Sequence, residues 1–132
     1  MAKKRMLPEG QTKFVNLAGD LSQGAAIDKT STRERVLVPT SKIDVGEIVF
    51  RACTDIPEMY IEAGDLLMVE RRDPSQAATG ETVIVLVEGR AFIGHWWAKR
   101  GDRALLARGL ALLTEDKTMQ ILGAVTTILR WQ

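Results

Sequence analysis

The 132-residue chain contains one cysteine and one histidine. Cys53 therefore has no intrachain disulfide partner, and a zinc site of the His/Cys-rich kind is excluded. Charge of one sign is missing as well. With 18 Lys and Arg against 17 Asp and Glu, no global field draws nucleic acid or an acidic membrane. No run approaches the ~18 consecutive apolar residues that span a bilayer, and Met1–Pro8 lacks the apolar core of a signal peptide. The expectation is a cytoplasmic protein with no cofactor, no metal and no membrane partner. Direct DNA binding is not expected either, because no helix-turn-helix pattern is present.

What is there is an ordinary globular balance, 45% apolar and 27% charged residues. A chain of this length buries roughly two thirds of its unfolded surface, enough for one core without staples. We expect a basic, flexible tail over residues 1–13, carrying Lys3-Lys4-Arg5, and a single domain over 14–132.

Three blocks in the second half are rich in β-branched residues and bounded by turn signals, so they read as strands. They are Leu66–Val69, Thr82–Val87 and Ala91–Trp97. If Glu88-Gly89 forms the tip between the last two, Leu86 faces Ala91 and Val85 faces Phe92. Alternation then puts Val83, Val85 and Phe92 on one face and Ile84, Leu86 and Ile93 on the other. Both faces are apolar, as suits a hairpin at the centre of the fold.

Ile121–Trp131 reads as one long alternating strand, its two apolar faces inviting pairing with another subunit. Shorter strands are expected at Phe14–Leu17, Arg35–Pro39 and Glu47–Phe50, with a polar loop from Gly19 to Thr32. Asp102–Leu113 is ambiguous between a helix, favoured by Ala104-Leu105-Leu106-Ala107, and a return strand, favoured by Gly101-Asp102 and Gly109. The whole is mostly β, with short strands, a central hairpin and little helix.

The order of Tyr60–Val69, Gly80–Val85, the hairpin and Gln120–Val125 resembles the C-terminal domain of the LexA repressor. UmuD-type polymerase accessory proteins and phage repressors share that pattern. The resemblance covers residues 14–131 and implies a β-rich fold that dimerises partly through its C-terminal strands. In that family a serine lies about nine residues before the Gly-Asp pair, and a lysine lies on the second strand of the hairpin. The hydroxyl needs a base, and lysine serves only where burial leaves it neutral. Here the matching positions hold Asp55 and Gly94.

Thr54 and Cys53 are the fallback nucleophiles and His95 the fallback base. Residues 94 and 95 face opposite ways on a strand, so His95 is expected to look away from the pocket that Gly94 would line. The family's cleavage loop corresponds to residues 21–26, and its scissile bond to Gln23-Gly24. Gln is too long and polar for a small apolar subsite.

The resemblance thus implies a catalytically silent LexA-like domain without the DNA-binding half, acting by protein association. Its expected partners are a second copy, a LexA-type or phage-type repressor, or a DNA-damage polymerase. Val125, Thr127, Leu129 and Trp131 are the expected dimer residues. Trp96 and Trp97 place one indole on each face, and one of them is expected at an interface. Two alternatives are an active peptidase using Thr54 or Cys53, and a structural subunit of a phage or mobile-element assembly.

Overall fold

The computed structural model describes residues 3–6, 12–30, 33–39, 48–73, 77–107, 110–114 and 119–130. Twelve strands and one 3-10 turn make up the regular structure of these residues. In chain order they are β1 (Lys3–Met6), β2 (Thr12–Asn16), β3 (Gly19–Leu21), β4 (Ala25–Ala26), β5 (Arg35–Pro39), β6 (Ile48–Ala52), the 3-10 turn (Pro57–Met59), β7 (Leu66–Glu70), β8 (Thr82–Val87), β9 (Arg90–Lys99), β10 (Asp102–Ala107), β11 (Leu110–Thr114) and β12 (Met119–Arg130).

The β8–β9 hairpin sets the frame. Glu88 and Gly89 both take positive φ, 50° and 79°, as a turn whose twist matches the flanking strands requires. That turn fixes the register: Leu86 faces Ala91 and Val85 faces Phe92. Ile84 and Ile93 therefore enter the largest core with Phe50, Leu67 and Ile128. Val83 and Val85 enter another with Trp96, Leu105 and Ala124, against which Phe92 packs. Covered on both faces, the hairpin can be apolar on both.

Around it the main sheet runs β11-β10-β9-β8-β12-β7-β6-β3, while β2 and β5 pair in a separate ribbon. The ambiguous 102–113 segment is a return strand and its neighbour, β10 and β11. Turn chemistry at Gly101, φ 85°, outweighs the helix propensity of the alanines and leucines. The polar loop expected over 19–32 contains two short strands, β3 pairing parallel with β6 and β4 pairing with β9. Part of the segment expected as a tail is described and is strand. Lys3–Met6 is β1, in parallel register with Thr127–Arg130, and Thr12-Lys13 begin β2.

β12 corrects the expected subunit boundary. It is an interior strand, paired with β8 over 119–124 and with β7 over 124–129. Over 127–129 both of its edges are filled, by β7 and β1. Its alternation is not simple either. Bulges at Leu122 and Thr126 each insert one residue, so Val125 and Ile128 both reach the main core. The Thr126 hydroxyl donates to the Met68 carbonyl across its bulge. Leu129 lies in a third cluster with Leu17, Val38, Val49, Leu66 and Met68. Val125 and Leu129 are thus buried inside their own chain, and neither side chain is available to a second subunit. Thr127 is half-buried, and Trp131 lies outside the described residues.

Candidate functional site

Residues 21–24 connect β3 to β4 along the outer edge of β9. Cys53 N–H donates to the Leu21 carbonyl at 2.7 Å, and Gly24 N–H donates to the Ala91 carbonyl at 2.7 Å. β4 pairs with β9 only at Ala91 and Arg90, and β10 joins that edge only from His95 onward. The gap at Ile93 is closed by a side chain. Gln23 Nε2 donates to the Ile93 carbonyl at 2.8 Å, and Gln23 Oε1 accepts from the Ile93 N–H at 2.6 Å. A carboxamide carries one donor and one acceptor side by side, as a backbone residue does, so it substitutes for the missing rung. Gln23, which a cleavage subsite for alanine would exclude, has a structural use here.

The fallback nucleophiles do come next to this segment. Thr54 Oγ1 accepts from the Gln23 N–H at 3.3 Å. That nitrogen belongs to the Ser22-Gln23 peptide, one unit before the Gln23-Gly24 bond. Cys53 is exposed. Partial desolvation and the Asp20 carboxylate push its thiol above the usual range, with Arg51 opposing. Such a thiol is a poor source of thiolate at neutral pH.

Neither position that the resemblance aligns with the dyad carries a hydroxyl or an amine. Asp55 is exposed, and its Oδ1 accepts from the Ala63 N–H at 2.8 Å. Gly94 is buried in β9. A Cβ built there would stand 2.6 Å from the Leu106 carbonyl oxygen and 2.8 Å from Leu105 Cγ. Both are distances real Cβ atoms do not tolerate, so β10 occupies the space a lysine would need. The expectation that Gly94 lines a pocket is corrected accordingly. His95 is half-buried, opposite Thr82 and Leu106. Among the described residues no hydrogen bond joins it to Thr54 or Cys53.

Of the paired indoles, Trp96 is core and Trp97 is half-exposed. Alternation along β9 accounts for the difference, leaving Trp97 as the accessible one.

Two cavities open elsewhere. One, about 430 Å³, lies between Arg71–Asp73 and Gln120–Leu122, where β7 and β12 part. The other, about 300 Å³, is bounded by Asp55, Pro57, Tyr60, Ile61 and Glu62. Tyr60 is 64% exposed and carries φ 58°, uncommon for a bulky side chain. No sequence pattern singled it out, because exposure and backbone strain are three-dimensional properties. Glu62, which lines this cavity, is reached at 3.1 Å by Arg130, whose guanidinium forks onto buried Asp65 with two 2.7 Å bonds.

Among the described residues, no group of three or more His, Cys, Asp or Glu could hold a metal ion. No helix among them is long and apolar enough to cross a membrane. No protein-family model matches the chain, and no curated protein matches it at a significant level.

Proposed function

We propose that the chain is a non-catalytic domain that works by associating with other proteins, in the manner of a LexA-like domain stripped of its dyad. The observation that carries this is the pair Gln23 and Gly94. The segment matching the cleavage loop is fastened to β9 by the Gln23 carboxamide. The position matching the lysine is filled by β10 backbone. A hydroxyl without a base is a weak nucleophile, and hydrolysis of a peptide needs both.

The resemblance supplies the partner class: a LexA-type or phage-type repressor, or a DNA-damage polymerase. Sedimentation velocity of the purified chain mixed with each of these proteins tests the assignment. A faster-sedimenting mixed species is expected with one of them, and its absence with all three overturns the partner class. Self-association does not use Val125 or Leu129, which are interior. Trp97 and Thr127, both half-buried, are the described members of the expected set that retain some accessibility.

One observation favours a second reading, a peptidase with Thr54 as nucleophile: its hydroxyl oxygen lies 3.3 Å from the Gln23 amide nitrogen. It would require a base supplied from elsewhere in the chain, and mass analysis of the purified chain after incubation at alkaline pH separates the two readings.

A further inference from the structure

We propose that the edge of β12 that β7 leaves open takes an extended, apolar segment of a partner protein as an added strand, with a carboxylate of that segment held by Arg71. This rests on the association reading above and names the form that the partner must present.

Strand pairing creates the opening. β8 fills one edge of β12 over Met119–Ala124. β7 fills the other edge only from Ala124 onward, because its last residue, Glu70, stands opposite Ala124. Gly123 marks the point of departure, where a Cβ would stand 2.5 Å from the Glu70 carbonyl oxygen. Beyond it Arg71–Asp73 leave the ladder, and a cavity of about 430 Å³ lies between them and Gln120–Leu122. Among the described residues no strand pairs with 119–123 on this side. Backbone groups along a strand point alternately to its two edges, so half of the N–H and C=O groups of this stretch face the cavity rather than β8. The bulge adds Leu122, which has no partner in β8. An extended backbone meets alternating donors and acceptors at this spacing, which is how a peptide joins an exposed sheet edge.

What flanks the edge selects the segment. Leu86 and Leu122, both half-buried, pack against the main core on one face of the sheet, and Ile121 packs against the Trp96 cluster on the other. Side chains of an added strand alternate between the same two faces, so apolar residues gain cover on either. At the Gly123 end Arg72 is held by Glu70 at 2.7 Å and by Glu81 at 3.5 Å, and Asp73 is itself engaged. Arg71 is exposed and makes no ion pair among the described residues. A carboxylate is the complement its guanidinium fork fits best.

The test is an NMR titration of the full-length, 15N-labelled chain with the peptide acetyl-Asp-Val-Thr-Ile-Val-amide. Saturable shifts are expected at the amides of Arg71, Gln120, Ile121, Leu122 and Gly123. Two N-methylated forms follow, one modified at the second and fourth residues and the other at the third and fifth. Only one of these sets faces β12 in an added strand, so one form should bind at least about tenfold more weakly, the scale of two lost hydrogen bonds, and the other nearly as well as the parent peptide. Replacing the aspartate by asparagine should weaken binding about two- to fivefold, the scale of an exposed ion pair, and make no difference in Arg71→Gln. Shifts confined to other regions, equal binding of both methylated forms, or a preference for aspartate that survives Arg71→Gln would overturn the proposal. Concentration-dependent broadening of the same amides in the free chain would assign the edge to a second copy and overturn it too. A mixed complex in the sedimentation experiment with no peptide response here removes this site and leaves the association reading standing.

Discussion

Replacing Gln23 by alanine deletes two hydrogen bonds at once and adds no bulk. Both link the carboxamide to Ile93 backbone groups, at 2.8 and 2.6 Å, in a partly buried setting. A net contribution of about 1 kcal/mol per bond gives a loss of about 2 kcal/mol. The full desolvation penalty is not added, because the edge of β9 becomes open to water. For a domain of this size roughly 4 °C accompanies each kcal/mol, so Tm should fall by about 8 °C.

Gln23→Glu refines the test. An ionised glutamate accepts from the Ile93 N–H but faces the Ile93 carbonyl with a second oxygen, while a protonated one donates to it. The folded state therefore raises this carboxyl above its unfolded value. The variant should lie closest to the parent below the unfolded carboxyl range of about 4.3 and lose ground as pH rises through the folded value. Thermal melts followed by circular dichroism at several pH values read both effects. Unchanged melting of Gln23→Ala, or no acid recovery of Gln23→Glu, would refute the rung assignment.

Three further outcomes follow from the packing. Gly94→Ala places a methyl against the Leu106 carbonyl and Leu105, and should cost about 3 kcal/mol or more in urea denaturation; a neutral effect would mean the site has room. Val125→Glu and Leu129→Glu should abolish cooperative unfolding rather than release monomers, because each would bury a charge in a core; a folded variant would contradict their interior placement. Iodoacetamide should alkylate Cys53 slowly at neutral pH and faster as pH rises, and Asp20→Asn should speed it at a fixed pH; rapid labelling of the parent chain at neutral pH would oppose the raised thiol.

The hairpin was legible in the sequence to single-residue register, because Gly89 and the β-branched runs on either side act locally. Two-sided burial of Ile84 and Val85 followed from the same alternation. What misled was β12. Its apolar faces near the chain end suggested a subunit boundary, but β1 covers one edge and the bulges at Leu122 and Thr126 reassign its side chains. Parallel pairing between Lys3–Met6 and Thr127–Arg130 spans almost the whole chain and leaves no local signature. At the site, the juxtaposition of Gln23 with Thr54 joins residues 31 positions apart and has no local signature in the sequence. The Gln23–Ile93 rung has none either, since a carboxamide acting as backbone depends on which strand leaves a gap.

Whether Thr54 can ever cut the chain is read most directly by intact-mass spectrometry after prolonged incubation of the purified protein at alkaline pH, where an amine or imidazole base would be neutral. A single full-length mass is predicted, the same as for Thr54→Ala. Fragments ending at Gln23 and beginning at Gly24, present in the parent chain and missing from Thr54→Ala, would contradict a non-catalytic domain.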